Sequence, residues 1–295
     1  MYSAIAANKR NTVFIIIFFV LLIGGLATYA GYATGYGSSA FMIIGFVALY
    51  ALIQYYAAGA FAVAASGAVQ ITKADNPRLW RTVENIAINE GMPMPKVYLI
   101  KDDAPNAFAS GRDPKHAVVA ATTGLLAIMD DNELEGVMAH EMAHVKNYDI
   151  RVSTVVFGLV SAVGILADFF LRMAFYSSHS RNKDSGPIAL ALIAFGVIAW
   201  IVAALIGPIV SAAVSRQREY LADASAAEIT RFPEGLQGAL AKLRDYGQPM
   251  KRAASSMAHM YINDPVKPSV AQRLFSTHPP LEKRIERLGE IGTKF

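Results

Sequence analysis

The stretch NELEGVMAHEMAHVK, residues 132–146, carries the strongest structural signal in the chain. Its first residue, Asn132, stands three residues before Glu135, which is the spacing of a capping box at the start of a helix. Acidic residues in the following turn suit the positive end of the helix dipole. The sequence therefore predicts a helix that begins near Asn132.

Inside this predicted helix, the segment HEMAH contains two histidines, His140 and His144. Residues four apart lie one turn apart on the same helical face, so both imidazoles can reach one metal ion. Glu141 stands beside the first histidine and can contact a metal-bound water without binding the metal. The pattern predicts metal-assisted hydrolysis with Glu141 as the base. The alternative is a solvated helix with two incidental histidines.

A catalytic zinc needs three protein ligands and one open position. Because the chain has no Cys, the third ligand must be His, Asp or Glu. The best candidate is Glu219 in the segment SRQREYLAD, residues 215–223. Asp223, one turn further, could accept the N–H of a ligating histidine and fix its tautomer. The alternative is that Glu219 and Asp223 are solvent-facing carboxylates.

Composition predicts a membrane protein. Of the 295 residues, 54% are hydrophobic and 17% are charged, whereas soluble domains contain about 25% charged residues. Asp, Glu, Lys and Arg are all absent between Arg10 and Lys73, and again between Asp184 and Arg216. A helix that crosses a bilayer needs about 20 apolar residues, so runs of this length favour a lipid environment.

These runs predict four transmembrane helices. Their approximate ranges are Val13–Tyr32, Phe41–Ala65, Val152–Tyr176 and Ile188–Val214. The first run is longer than the apolar core of about 7–15 residues in a signal peptide, so we favour an uncleaved anchor over a cleaved signal.

Two charges, Asp168 and Arg172, fall inside the third predicted span. Charges within a span often face a protein interior or a water-filled cavity and have a function. The alternative is an i,i+4 ion pair in which Arg172 reaches the membrane interface.

The distribution of Lys and Arg places the N-terminus and both polar segments in the cytosol. We expect an α+β membrane protein whose mainly helical catalytic domain is of the zincin type and carries a small β-sheet. Its predicted strands are Lys96–Ile100, Asn106–Ser110 and Ala117–Ala121. The chain divides into an N-terminal hairpin (1–66), a first catalytic part (67–151), a second hairpin (152–214) and a second catalytic part (215–295).

Several other residues receive no catalytic role from spacing. Asp149, five residues after His144, could help to orient the site, but we favour a helix-end or interfacial carboxylate. We interpret His116, His179 and His259 as surface or loop residues. The segment Leu281–Leu288 has the pattern of an amphipathic closing helix.

At four segments the sequence resembles the HtpX-type membrane zinc metallopeptidases, relatives of the CAAX prenyl protease. These segments are NAFASG (106–111), HEMAHVKN (140–147), RQREYLAD (216–223) and STHPP (276–280). HExxH alone indicates only a broad enzyme class, but its combination with the later segments is specific. The order of the segments and the two pairs of spans also agree with the family.

The resemblance implies roles that spacing leaves open. It makes Glu219 the third ligand of one Zn²⁺ per chain and Asp223 the partner of a ligating histidine. It implies a substrate-binding edge strand that contains Asn106, Ala107, Phe108 and Ala109, which would pair with an extended peptide. It makes His278 a candidate for stabilising the oxyanion, although His278 could also be a structural residue beside the Pro-Pro turn.

The family also implies an endopeptidase for misfolded or damaged membrane proteins at the cytoplasmic face of a bacterial inner membrane. Its expected partners are unfolded or membrane polypeptides and the lipid bilayer. A net charge of +4 without a basic cluster among aromatic residues argues against nucleic acid. Two alternatives remain: a peptidase for one dedicated peptide or lipidated substrate, and a non-enzymatic membrane chaperone or transporter with structural zinc.

Overall fold

The structure is a computed structural model. It describes residues 2–33, 40–178, 193–194, 196–197, 201, 216–252, 255–264 and 278–293. The first helices are α1 (Tyr2–Ala33), α2 (Ala40–Ser66), α3 (Pro77–Asn89), α4 (Thr123–Ile128), α5 (Asp131–Lys146) and α6 (Asp149–Ser178). The later helices are α7 (Arg216–Thr230), α8 (Pro233–Tyr246) and α9 (Leu281–Gly292), and a 3₁₀ helix spans Ser255–Met260. The strands are β1 (Val69–Gln70), β2 (Lys96–Ile100), β3 (Ala107–Ser110) and β4 (Val118–Thr122).

The strands form one mixed sheet in the order β1-β2-β4-β3. Strands β2 and β4 are parallel, and the other two pairs are antiparallel. The three predicted strands are confirmed to within one residue at each end, while β1 was not predicted. The molecule is thus mainly helical with a small sheet, as the sequence indicated.

Helix α5 begins two residues earlier than predicted. Its N-cap is Asp130, whose side chain accepts from the N–H of Glu133, and the Glu133 carboxylate in turn accepts from the Asp130 N–H. The expectation of an N-cap at Asn132 was therefore wrong. Both pairs fit the capping-box spacing, but Glu133 also lies 2.6 Å from the Lys242 ammonium of α8, a tertiary contact that the local pattern could not show.

Helix α5 runs through the main hydrophobic core of the molecule. It packs against α3, α7, α8 and β3, and eleven of its residues are buried. Glycines allow close contact with α8, because a Cβ on Gly136 would lie 2.6 Å from the Leu236 nitrogen. A Cβ on Gly235 would lie 2.6 Å from the Asn132 oxygen. This packing buries His140 completely and leaves His144 only partly exposed.

Helices α1, α2 and α6 form a second apolar cluster around Phe19, Ala51, Val155 and Leu159. Bulky apolar side chains on α1 and α2 are exposed on the outside of this cluster, among them Phe14, Leu21, Met42, Phe46 and Leu52. Among the described residues, Ile5–Gly25 is long and apolar enough to cross a bilayer. A second span is added if the two arms of α2, which are bent by 72°, count as one.

The structure leaves the other two predicted spans as predictions. The third predicted span falls within α6, which starts at Asp149, and the fourth lies almost entirely outside the described residues. On α6, the Arg172 Nε lies 2.7 Å from Asp168 Oδ2 with both side chains largely exposed. That geometry is the one expected for the i,i+4 ion pair.

Candidate metal centre

The two histidines of α5 point at the same small volume. Their Nε2 atoms lie 3.2 Å apart, and their rings are almost perpendicular. The His140 side chain is fully buried, whereas 16% of the His144 side chain is exposed at the edge of a cleft. The two rings face the same volume because the histidines of HEMAH lie one helical turn apart. They differ in exposure because packing covers His140 completely and His144 only in part.

Helix α7 brings Glu219 to the histidines across the α5–α7 contact. Glu219 Oε1 lies 3.5 Å from His144 Nε2, and Oε2 lies 3.7 Å from His140 Nε2. Tetrahedral zinc with bonds of about 2.0–2.1 Å separates its ligand atoms by about 3.4 Å. The observed separations of 3.2, 3.5 and 3.7 Å fit that geometry. Within the described part of the chain, His140, His144 and Glu219 are the set of His, Asp and Glu side chains close enough together to hold one metal ion.

Asp223 lies behind His140. Its Oδ1 is 3.0 Å from His140 Nδ1, and Arg284 of α9 donates to both of its oxygens, from Nε at 2.9 Å and from Nη2 at 2.7 Å. The Arg284 side chain is fully buried, so α9 closes the rear of the site. The sequence held a signal for this residue, because Arg284 falls on the same predicted helical face as Leu281 and Leu288.

Asp149 lies behind His144. Its Oδ2 is 3.0 Å from His144 Nδ1, and its side chain is 7% exposed. Asp149 does begin α6, as the favoured interpretation of a helix-end carboxylate expected, but its contact with His144 matches the alternative that it helps to orient the site. The bend between α5 and α6 returns Asp149 to the preceding histidine, and nothing in the local spacing predicted that bend.

Burial and charge shift the acid–base behaviour of the cluster. Burial, followed by the Arg284 charge, lowers the pKa of His140 to about 4. Burial raises the pKa of Glu141 to about 7. Burial of His144 is outweighed by its hydrogen bond to Asp149 and by the charge of Glu219, and its pKa rises to about 9. The positive groups around Glu219 outweigh its burial and lower its pKa well below the usual value.

One cleft contains the three ligand candidates together with Glu141 and His278. The His278 Nδ1 lies 3.0 Å from Glu219 Oε2, and 14% of its side chain is exposed. The cleft is also lined by Ala109 of β3 and by the segment from His259 to Ile262. The structure thus brings the predicted catalytic and metal residues together with one end of the predicted substrate strand.

The outer edge of β3 is partly covered. Tyr261 forms an isolated antiparallel bridge with Phe108, and the Ile262 N–H donates to the Ala107 oxygen at 3.0 Å. The Asn106 amide is buried and bonds to both backbone groups of Asn263. Asn106 therefore holds this covering segment in place, while Ala109 lies closest to the cleft.

The remaining histidines divide three ways. His116 is exposed and lies 2.7 Å from Asp113, as a surface residue would. His259 lines the cleft, with its Nε2 2.9 Å from the Ser153 oxygen, so its interpretation as an ordinary loop residue was wrong. His179 lies outside the described residues.

The sequence profile of peptidase family M48 matches residues 73–291, which include every residue of the cluster. The chain belongs to peptidase family M48. It is 53% identical over 295 residues to a protein from Tropheryma whipplei (strain Twist) named "Protease HtpX homolog", and the match covers all of both chains. A protein of the same name from Streptococcus gordonii is 42% identical, over 99% of this chain and 100% of its own.

Membership in M48 and the resemblance to HtpX make the chain a membrane metalloprotease. A solved structure, that of S. mikatae Ste24p, superposes with a TM-score of 0.52 at 17% identity. The superposition covers 92% of this chain and 64% of Ste24p. At that identity the comparison shows a similar fold and nothing more.

Proposed function

We propose that this M48 chain is a zinc-dependent endopeptidase, in which His140, His144 and Glu219 hold one Zn²⁺. The observation that carries the proposal is the convergence of these three side chains, from two separate helices, at the spacing of a tetrahedral ion. Two facing imidazole nitrogens beside a buried carboxylate are a donor set that suits zinc. When bound, the ion would polarise the scissile carbonyl and acidify water.

Glu141 is the proposed proton carrier. It is buried, lies in the same cleft and follows His140 directly in the chain. In this role it takes a proton from the attacking water and delivers it to the departing amine. His278, across the cleft, is the proposed donor to the oxyanion that develops on the carbonyl.

Two carboxylates orient the proposed ligands. Asp223 accepts from His140 Nδ1 and Asp149 from His144 Nδ1, which leaves each Nε2 facing the metal position. A carboxylate on the far nitrogen fixes the tautomer and the orientation of a ligating imidazole. Neither aspartate needs to contact the metal for this role.

The proposed substrate is an extended polypeptide that pairs with the outer edge of β3, the strand predicted from Asn106, Ala107, Phe108 and Ala109. Backbone bonds alternate between the two sides of an antiparallel strand. Because the Asn106 oxygen bonds to β4 through Thr122, the backbone groups of Ala107 and Ala109 face outward. Ala107 is engaged by Ile262 and Phe108 by its bridge to Tyr261, so we expect pairing to begin at the outward carbonyl of Ala109, beside the metal position.

We place the active site at the cytoplasmic face of a bacterial inner membrane, where misfolded or damaged membrane proteins would be the substrates. The placement is supported by the cationic flanks of the first apolar run, including Lys9 and Arg10. The substrate class is supported by recognition through backbone bonds, which tolerates many side chains.

The test is Glu141→Gln, assayed for zinc content and for cleavage of casein in detergent. We expect one zinc per chain and no cleavage, since the amide cannot carry the proton. Glu135→Gln, on the same helix, is the control and should cleave normally. Undiminished cleavage by Glu141→Gln would remove the mechanism, and a profile of products with one strict cleavage motif would favour the dedicated processing peptidase instead.

A further inference from the structure

The bend that joins α5 and α6 consists of Asn147, Tyr148 and Asp149. Tyr148 has a φ of 61°, in the left-handed region that residues other than glycine adopt at a cost of about 1–2 kcal/mol. This conformation turns the chain so that Asp149 Oδ2 lies 3.0 Å from His144 Nδ1. The orientation of the His144 ring therefore depends on how firmly the bend is held.

The start of α1 contacts all three residues of the bend. Asn8 Nδ2 donates to the Asn147 oxygen at 2.9 Å and to Asp149 Oδ1 at 2.6 Å. Lys9 places its ammonium 4.6 Å from the centre of the Tyr148 ring. An Asn amide has two N–H donors, and both are used here on partners more than 130 residues away in sequence.

Asn8 is itself fixed from a third direction. Arg218 Nη1 donates to Asn8 Oδ1 at 3.0 Å and lies 3.6 Å from Asp149 Oδ1. Asn8 is 2% exposed, so water does not compete for these bonds. Arg218 directly precedes Glu219 in α7, so the network supports His144 through Asp149 and adjoins a second proposed ligand in the chain.

We propose that Asn8 is a positioning residue of the metal centre and acts through Asp149 on His144. The first membrane helix is then a structural part of the zinc site as well as an anchor. This inference rests on the proposed function. Asp149 has one oxygen on His144 and the other on Asn8, so loss of the Asn8 amide frees the carboxylate to rotate away from the imidazole.

The test measures the zinc dissociation constant of the full-length protein in detergent, by competition with a chelator. Removing a partner that orients a ligand weakens metal affinity by about 10–100-fold, and Asp149→Asn is expected in that range. Asn8→Ala, one step further out, should weaken zinc binding by about 3–10-fold on the same scale. The control Asn11→Ala, on the same helix and half-exposed, should bind zinc like the wild type.

The double variant separates a positioning role from general loosening of the fold. If Asn8 acts through Asp149, adding Asn8→Ala to Asp149→Asn should leave the zinc affinity of Asp149→Asn unchanged, because coupled residues are not additive. Independent, multiplying effects would overturn the inference. So would wild-type zinc affinity in Asn8→Ala, whatever its thermal stability.

Asn8→Ser covers the case in which Asn8→Ala does not fold. A hydroxyl on that short side chain cannot reach both Asn147 and Asp149, so zinc affinity should still fall, and wild-type affinity would again overturn the inference. If the wild type itself bound no zinc, the proposed function would fail first. If the wild type binds zinc and substitution of Asn8 does not change the zinc affinity, the role of Asn8 is rejected while the proposed function stands.

Discussion

The two histidines of the centre are held by opposite ends of the chain. His140 is buried, and the Asp223 carboxylate behind it is fixed by Arg284 of the last helix. His144 borders the cleft, and the Asp149 carboxylate behind it is fixed by Asn8 of the first helix. The same local arrangement, an imidazole on an aspartate, is therefore completed once by the last helix, α9, and once by the first helix, α1.

The two supports also differ in charge. On the His140 side, a guanidinium forms a bidentate, fully buried pair with its aspartate. On the His144 side, the neutral Asn8 amide makes the close contact, and the nearest guanidinium nitrogen is 3.6 Å away. Removing Arg284 should therefore lower mainly the stability of the fold, whereas removing the Asn8 amide should lower mainly the metal affinity.

The largest expected effect is on the His140 side. Arg284→Met would leave Asp223 as a buried charge without its cation, which typically costs about 3–5 kcal/mol. The protein should unfold at a clearly lower temperature in detergent, with or without zinc. The matched control is Arg287→Met on the exposed face of α9, where the guanidinium stacks 4.0 Å from the Tyr220 ring centre.

The control should lose about 0.5–1 kcal/mol, as expected for an exposed cation–π contact. If Arg284→Met unfolded at the wild-type temperature, the ion pair would not be what closes the rear of the site.

The next effect compares the two aspartates directly. Asp223→Asn and Asp149→Asn should each weaken zinc binding by about 10–100-fold. Asp223→Asn should also destabilise the zinc-free protein more than Asp149→Asn does, because it breaks the close bidentate pair with the fully buried Arg284, whereas the guanidinium of Arg218 lies 3.6 Å from Asp149. Chelator competition and thermal unfolding of the zinc-free proteins measure the two properties. Equal losses of zinc-free stability would show that the two supports are equivalent.

The smallest effect concerns Lys9 at the edge of the His144 support. Its ammonium lies over the Tyr148 ring and is exposed, so Lys9→Ala should cost about 0.5–1 kcal/mol at most. Zinc affinity should fall less than in Asn8→Ala, measured by the same competition. If Lys9→Ala lost more zinc affinity than Asn8→Ala, the Lys9 ammonium rather than the Asn8 amide would be the main support of the bend.

The part of the site that could be predicted from sequence is the pair of histidines on a single helix, α5. A spacing of four residues fixes the relative direction of His140 and His144 whatever surrounds them, and alternation of apolar and polar residues within one segment predicts the strand Lys96–Ile100. Even there, the predicted N-cap was Asn132 rather than Asp130, because two overlapping segments fit the capping-box spacing and the contact between Glu133 and Lys242 is not visible in the local pattern.

The other half depends on contacts between segments that are far apart in sequence. Spacing made Glu219 a candidate, and the family resemblance strengthened it, but neither supplied a distance. Arg284 lies on the same helical face as Leu281 and Leu288, and an arginine on an apolar face indicates a buried ion pair. Asn8 carried no such signal, because a single Asn at the start of an apolar helix is equally consistent with a residue at the membrane interface.

The central claim is that three side chains from α5 and α7 hold one zinc. Its most direct test is the zinc content of Glu219→Ala, beside Glu228→Ala on an exposed turn of the same helix. We predict that Glu219→Ala is purified without zinc and does not cleave casein, while Glu228→Ala keeps one zinc per chain and cleaves normally. Retention of zinc at wild-type affinity by Glu219→Ala would contradict the account.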